Sequence, residues 1–402
     1  KETDWHNPIL FNILLKNFLK FAGYEPSYAR YLSLFFGSLS LVMFGLISLQ
    51  EKKNNNFILA TFLACISIYI IKYSQELRPY SLLLFTSSIN IFFYIKMLNS
   101  SETNKVNIIL FIFSSVINYS VNPFALIIFF SQISYSIFQY FVFKKMIKKY
   151  LLSYLFIAFF YMIFNYNYIL YQISFENYML SHDIKNVLDG FYFPRFFGSK
   201  IMGYFYLTLL IFLIFKNKNF FLKKNNNYMF FLILIIYCYL VPLLYGLIMT
   251  PVFHDRYIIF ILIPIFILIS FLINESFNIK LKNFLIFFLV SITLANHYIE
   301  ILKRINTKPE FKRALYEIKN SDTKDIILNL GGSSTLVSNY IKNLKINKSI
   351  NFNYYQYDEP LPKNKSFWLL CYSPNNNFNC KANEVKDYKE IDTKKYLFVE
   401  AK

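Results

Sequence analysis

Charged side chains interrupt this apolar sequence at few points, and one interruption combines a carboxylate with a guanidinium. The segment YSQELRPY, residues 73–80, lies between two long apolar runs. It places Glu76 two residues before Arg78, with Gln75 and Tyr80 beside them. Charges at a membrane face are costly and usually mark a site that binds or reacts with something. The segment therefore predicts a chemical site at the mouth of two spanning helices.

A second interruption, PVFHDRY, precedes a later apolar run and supplies Asp255, Arg256 and Tyr257. The planar guanidinium fork of arginine matches phosphate oxygens. Arg78 and Arg256 are therefore predicted to bind a phosphate group, with Asp255 and Tyr257 supporting them. The alternative is that each is a lone arginine whose charged end reaches the membrane surface from a helix end.

Two carboxylates are candidates for the base that would deprotonate an attacking hydroxyl group. Glu76 could serve as this base, orient the acceptor, bind a divalent cation, or pair with Arg78 as a structural clamp between helices. Asp4 could also be the base, but it could instead be a loop carboxylate that orients His6. Beyond the possible cation at Glu76, no cofactor and no metal site are predicted.

Composition indicates a membrane protein. Of 402 residues, 56% are hydrophobic and 21% aromatic, and the mean hydropathy is positive, which ordinary soluble domains do not show. The net charge of +19 comes from lysines in short runs between apolar segments rather than from one continuous basic surface. A nucleic-acid partner is therefore not expected, whereas a lipid bilayer is.

The apolar runs predict an all-α polytopic protein. A crossing needs about 20 residues, and the segment 9–21 is too short; its polar stripe favours a helix lying along the membrane surface. Ten other runs are predicted to cross: residues 28–49, 57–72, 80–98, 106–119, 123–143, 150–171, 200–215, 228–249, 257–273 and 284–301.

Lysines are concentrated in alternate loops, which places those loops in the cytoplasm. The opposite loops hold Asp4, the Glu76 turn, residues 172–199 and the Arg256 segment. All the candidate chemical groups are therefore predicted to share the outer face.

The C-terminal part changes to a soluble pattern. Helices are predicted at 309–318 and 336–344, and strands at 326–330, 367–372 and 396–399. We expect three regions: 1–26 with the surface helix, 27–302 as the membrane domain, and 303–402 as a small outward-facing α/β domain. Whether Cys371 and Cys380 form a disulfide stays open.

Five segments together resemble a known family. The chain is similar to the polytopic GT-C glycosyltransferases of the protein O-mannosyltransferase-like type, and to its bacterial ArnT-like and RgtA/B/C/D-like branch. The segments occur in the family's order along nearly the whole chain: DWHNPILFNILL (4–15), GYEPSYARYLSLFFG (23–37), YSQELRPYSLLL (73–84), PVFHDRYIIFILIP (251–264) and KPEFKRAL (308–315).

The resemblance implies a GT-C fold and transfer of a sugar from a polyprenyl-phosphate donor to a lipid, glycan or protein acceptor. It also implies the outer face of a bacterial plasma membrane. The chain departs from the family at Val121 and Asn122, where a histidine is frequent, and it begins after the position of the family's catalytic aspartate. A transporter of lipid-linked glycans and an O-antigen ligase or polymerase stay open as alternatives.

Overall fold

The computed structural model describes residues 9–23, 26–50, 56–99, 105–143, 148–174, 193–218, 227–248, 254–307, 311–320, 325–328, 351–354, 367–372, 389–392 and 396–401. Two of the predicted site residues, Asp4 and His6, lie outside the described residues. The chain divides into two compact units, Lys1–Tyr298 and Ile299–Lys402.

The helices make up most of the described structure. In chain order they are α1 (Ile9–Ala22), α2 (Pro26–Leu49), α3 (Asn56–Cys65), α4 (Ile68–Ser74), α5 (Tyr80–Asn99), α6 (Lys105–Val121), α7 (Leu126–Phe143), α8 (Lys148–Ser174), α9 (Lys200–Lys216), α10 (Tyr228–Ile248), α11 (Leu262–Ser276), α12 (Ile279–Thr307) and α13 (Phe311–Lys319). Three short 3₁₀ helices are Pro123–Ala125, Phe193–Phe197 and Asp255–Ile261.

Within the described residues, six helical segments are long and apolar enough to cross a membrane. They are Tyr28–Leu49, Tyr80–Asn99, Pro123–Phe143, Tyr228–Leu247, Asp255–Ser276 and Ile279–Lys303. Each coincides with one of the ten predicted crossings. Two further predicted crossings fall in shorter apolar helices, Lys105–Val121 and Leu151–Ile163.

The prediction of one continuous helix over residues 57–72 is wrong. α3 ends at Cys65 and α4 begins at Ile68. Between them Ser67 has an extended backbone (φ −69°, ψ 114°), and its hydroxyl accepts a hydrogen bond from the Ile70 N–H at 3.5 Å. Serine competes for backbone donors in this way, so it favours starting a new helix over continuing the old one.

The core of the first unit is formed around two helices. In the segment Asp255–Ser276, 89% of the most apolar 18-residue stretch is buried. The corresponding share is 72% in α5 and 11% in the segment Ile279–Lys303. A helix that is apolar on all sides is stable only when it is surrounded, either by protein or by lipid. α5 and α11 therefore lie inside the bundle, and α12 exposes apolar side chains such as Phe284 and Phe287.

Polar side chains join α5, α6 and α7 inside the bundle. Asn90 donates to the Ser115 hydroxyl at 2.7 Å and accepts from the Gln132 amide at 2.7 Å. The hydroxyls of Thr86 and Ser87 donate to the side-chain Oδ1 atom of Asn118 at 2.8 and 3.0 Å. In an apolar surrounding such bonds fix one helix against the next, because an unpaired polar group there is costly.

The second unit contains α13 and five strands: β1 (Asp325–Leu328), β2 (Asn351–Tyr354), β3 (Phe367–Tyr372), β4 (Lys389–Asp392) and β5 (Tyr396–Ala401). They form one sheet in the order β2-β1-β3-β5-β4. The pairs of β1 with β2 and with β3 are parallel, whereas β5 is antiparallel to β3 and β4. Trp368 on β3 is buried.

Candidate active site

The turn that carries Glu76 and Arg78 is held by contacts on both sides. At its start, Gly37 of α2 lies so close to α4 that an added Cβ would be 2.0 Å from the Ser74 hydroxyl oxygen. At its end, the Ser81 hydroxyl donates to the Tyr73 carbonyl at 2.7 Å, which ties the start of α5 to the end of α4. The turn is therefore fixed by three helices.

Within this turn the two predicted charged residues do not pair. The Arg78 N–H donates to the Glu76 carbonyl at 2.8 Å, which closes a three-residue turn, but no ion pair joins their side chains in the described part of the chain. Glu76 is half-buried and is an electrostatic neighbour of Tyr73, whereas Arg78 is exposed and interacts with Tyr80. Gln75 is exposed. The pairing of Glu76 with Arg78, one of the alternatives that the sequence left open, is therefore not observed among the described residues, and each of the two has a different tyrosine as its electrostatic neighbour.

The segment with Arg256 is a 3₁₀ helix rather than the start of an α-helix at Tyr257. Its first residue, Asp255, is buried, and the Asp255 Oδ1 atom accepts from the Arg256 N–H at 3.0 Å and contacts His254 Nδ1. The N-cap residue is His254, whose side chain makes no capping hydrogen bond. The Tyr257 N–H donates to the His254 carbonyl at 2.9 Å. Neighbouring Asp255 and Arg256 form no ion pair within the described structure.

A chain of aromatic rings connects these segments. The ring of Tyr73 lies 4.8 Å from Tyr69 and 5.1 Å from Tyr80, edge to face in both cases. Tyr80 is 6.1 Å from Tyr257, which stacks on Phe124 at 4.9 Å. Edge-to-face and offset pairs are the favoured arrangements of aromatic rings. The rings therefore bring α4, α5, and the 3₁₀ helices at Pro123 and Asp255 to one place.

The Arg256 side chain lies beside two of these rings. Its guanidinium carbon is 5.7 Å from the centre of the Tyr80 ring and 5.4 Å from that of Tyr257, within the range of cation–π attraction. The buried Nε atom has no hydrogen-bond partner among the described residues. The Tyr257 side chain is also a hydrogen-bond partner of the guanidinium, so the two tyrosines engage part of the group and leave the Nε donor available to an anion.

The hydroxyl of Tyr73 stays protonated in this cluster. Burial raises its pKa to about 12, an effect to which the neighbouring carboxylates of Asp255 and Glu76 add. Tyr73 is thus a hydrogen-bond donor near Arg256 at neutral pH, and it does not contribute a negative charge that would repel a phosphate.

Sequence reasoning missed four residues of this cluster: Tyr69, Tyr73, Phe124 and Arg195. The aromatic residues follow turns or helix ends, but 82 tyrosine and phenylalanine residues in the chain leave no signal for choosing these. Arg195 lies in the segment 172–199, which the sequence assigned to the outer face as a whole, and it is an electrostatic neighbour of Asp255.

No group of three histidine, cysteine, aspartate or glutamate side chains that could hold a metal ion occurs within the described ranges. The divalent cation that the sequence allowed at Glu76 stays a prediction.

Comparison with known proteins gives a match of fold. No protein-family model matches the chain, and no curated protein sequence does. Among solved structures, the chain is similar to the crystal structure of ArnT from Cupriavidus metallidurans bound to undecaprenyl phosphate, with a TM-score of 0.59 and 8% sequence identity. The match covers 98% of this chain and 88% of that of ArnT. The chain has the ArnT fold. Together with the six apolar helices, this shows a multi-pass membrane protein with a mainly helical, ArnT-like fold.

Proposed function

We propose that this protein is a membrane glycosyltransferase that moves a sugar from a polyprenyl-phosphate donor to a lipid, glycan or protein acceptor. The observation that carries the proposal is Arg256, whose guanidinium lies beside Tyr80 and Tyr257 and whose buried Nε donor has no partner among the described residues. The ArnT structure that shares this fold is bound to undecaprenyl phosphate. An arginine fork prepared in this way suits the phosphate of such a lipid.

In the proposed reaction, the acceptor hydroxyl oxygen forms a bond to the anomeric carbon of the sugar. The bond from that carbon to the phosphate oxygen breaks, and its electron pair leaves with the polyprenyl phosphate. Arg256 and Arg78 stabilise the negative charge that develops on the phosphate. The proton of the acceptor hydroxyl goes to a carboxylate, for which Glu76 and Asp4 are the candidates.

The architecture that we propose for this function has about ten crossings and an active site on the outer face of a bacterial plasma membrane. The alternation of lysine-rich loops supports this orientation. The parallel and antiparallel strand pairs after residue 299 support a small α/β domain there. The proposed regions stay those expected from the sequence, 1–26, 27–302 and 303–402.

The test is binding and transfer by purified protein in detergent. Arg256→Ala and Arg256→Lys are compared with Arg313→Ala, an exposed arginine of α13 in the second unit. We expect both Arg256 variants to lose about 10- to 100-fold in affinity for undecaprenyl phosphate, since a hydrogen-bonded charge is removed or its fork is lost. Arg313→Ala should bind as the native protein does.

Transfer in detergent distinguishes an enzyme from a transporter. An enzyme moves the sugar to the acceptor, whereas a transporter, which has no second compartment in detergent, would leave the donor intact. A native protein that binds undecaprenyl phosphate but releases no sugar from any polyprenyl-phosphate donor to any acceptor would contradict the proposal. Equal binding by the native protein and both Arg256 variants would contradict the role of Arg256.

A further inference from the structure

The 3₁₀ helix Phe193–Phe197 lies against two parts of the candidate site. It contacts the 3₁₀ helix Asp255–Ile261, which carries Arg256, and it contacts α4. Phe196 packs edge to face on Tyr69 of α4 with ring centres 5.0 Å apart, and the two side chains are only 1% and 3% exposed. Closely packed groups transmit a displacement to their neighbours. The position of this segment therefore affects the position of the site.

α12 holds the segment Phe193–Phe197 through one asparagine. The Asn296 Nδ2 atom donates to the Phe197 carbonyl at 2.8 Å, and the Asn296 Oδ1 atom accepts from the Ser199 hydroxyl at 2.7 Å. We propose that Asn296 is a positioning residue, which fixes this segment and through it the Arg256 guanidinium that receives the donor phosphate. This inference rests on the proposed function, in which Arg256 binds that phosphate.

On the side of α12, packing alone does not fix the segment. A partly open cavity lies there, with about 280 Å³ of empty space including its open side. Its wall includes Ile66, Ser67, Phe196, Phe197, Asn296 and His297. Side chains that face empty space lack the contacts that would resist movement in that direction. The two hydrogen bonds of Asn296 supply this resistance.

On the opposite side, the segment is closed in by α9. An added Cβ at Gly203 would be 2.1 Å from the Pro194 Cα, so the two backbones touch. The Phe197 ring stacks on that of Tyr206 with ring centres 4.2 Å apart. Movement of the segment toward α9 is therefore blocked. Movement toward the cavity is the direction that Asn296 opposes.

Asn296 lies on the inward face of a helix that is otherwise mostly exposed. Leu289 and Thr293, on the preceding turns of α12, are buried, and residues at this spacing share one face of a helix. In an apolar surrounding an unpaired carbonyl is costly. Without the Asn296 amide, the Phe197 carbonyl lowers its free energy by finding another partner, and the segment shifts to reach it.

The experiment measures the affinity for undecaprenyl phosphate in detergent for Asn296→Leu and Asn296→Ala. Leucine is favoured in spanning helices, so Asn296→Leu keeps the helix while it removes the polar atoms. Asn217→Leu is the matched control. Asn217 also bonds across two helices, to Ser276 of α11, but at the far end of α9, about 24 Å from its start at 1.5 Å per residue. Thermal unfolding shows that each variant is folded at the temperature of the binding measurement.

A second comparison shows whether Asn296 acts through Arg256. Asn296→Leu and Asn217→Leu are also made in the Arg256→Ala background. If Asn296 positions the guanidinium, its substitution has little further effect once the guanidinium is gone, so the two losses are not additive. A purely structural role would add its own loss to that of Arg256→Ala.

We expect Asn296→Leu and Asn296→Ala to lower the affinity for undecaprenyl phosphate about 3- to 10-fold, which corresponds to one hydrogen bond of ordinary strength. In the Arg256→Ala background the further loss from Asn296→Leu should be less than about 2-fold. Asn217→Leu should change the affinity less than about 2-fold in either background.

Two results would overturn the positioning role: both Asn296 variants binding as tightly as Asn217→Leu, or Asn296→Leu causing the same loss with and without Arg256. The proposed function fails differently. A native protein that does not bind undecaprenyl phosphate removes both the function and the role of Asn296. A native protein that binds it, with a loss in Arg256→Ala but none in the Asn296 variants, removes the role of Asn296 alone.

Discussion

Replacing Gly37 by alanine tests how the turn of the candidate site is held. The new Cβ would be 2.0 Å from the Ser74 hydroxyl oxygen and 2.8 Å from the Ser74 Cβ. Rotation of the serine removes the first clash only and breaks its 2.8 Å bond to the Ile70 carbonyl. The new Cβ and the Ser74 Cβ would still be 2.8 Å apart, whereas ordinary contact begins at 3.4 Å. α2 and α4 would therefore have to separate by about 0.6 Å.

We expect Gly37→Ala to reduce the free energy of unfolding by about 2–4 kcal/mol, the sum of a typical overpacking cost and one lost hydrogen bond. Because α4 leads directly into the Glu76 turn, donor binding should weaken as well. The assay is thermal unfolding in detergent with undecaprenyl phosphate binding. Gly45→Ala on the same helix is the matched control, since its Cβ would be 3.1 Å from a single threonine oxygen.

A second substitution makes the reasoning specific. In the double variant Gly37→Ala with Ser74→Gly, the atom nearest to the new Cβ is the Cα of residue 74. The two atoms are 3.7 Å apart, which is an ordinary contact. The double variant should recover most of the stability lost in Gly37→Ala, apart from the small cost of glycine at a helix end. If Gly37→Ala is as stable as Gly45→Ala, or if Ser74→Gly gives no recovery, the close approach of α2 and α4 is not what holds the turn.

Three further predictions concern the bundle, the topology and the base. Asn90→Ala should lower the unfolding midpoint in detergent, because its two partners on α6 and α7 each lose a bond of about 0.5–2 kcal/mol; an unchanged midpoint would contradict the network. When a phosphatase that works only outside the cytoplasm is fused after Lys402, we expect it to be active. An inactive fusion, which indicates a cytoplasmic C-terminus, would reverse the predicted orientation. Glu76→Gln should keep the native unfolding midpoint but lose about 10²–10⁴-fold in transfer rate, the usual contribution of a general base; a lower midpoint with full transfer would instead indicate a clamp.

The sequence predicted well those features that depend on one segment at a time. The predicted crossing at 28–49 lies within α2, and that at 80–98 matches α5 to one residue, since long apolar runs have few alternatives. The short helix predicted at 9–21 is observed as α1, Ile9–Ala22, and is followed by Gly23 with a positive φ of 93°. The predicted helix at 309–318 is observed as α13, Phe311–Lys319.

Features that depend on contacts between segments could not be predicted. The break at Ser67 requires a serine to act as a cap rather than as a small polar residue within a span, and both are common. The strands Asn351–Tyr354 and Lys389–Asp392 contain few β-branched residues, so only their pairing with β1 and β5 identifies them. The sequence singled out Arg256 and Tyr257, but the contact of Arg256 with Tyr80 depends on how α5 packs in the bundle. The predicted helix at 336–344 lies outside the described residues.

The hydrogen bonds between α5 and its neighbours have a consequence for biosynthesis. Gln132, which donates to Asn90, is 42 residues further along the chain, and at a translation rate of about 5–20 residues per second it is made about 2–8 s later. Until α6 and α7 have both followed, the Asn90 amide lacks at least one of its partners, Ser115 and Gln132, and its entry into lipid alone is unfavourable. We therefore expect α5 to stay with the insertion machinery until α6 and α7 follow, and to enter the lipid together with them.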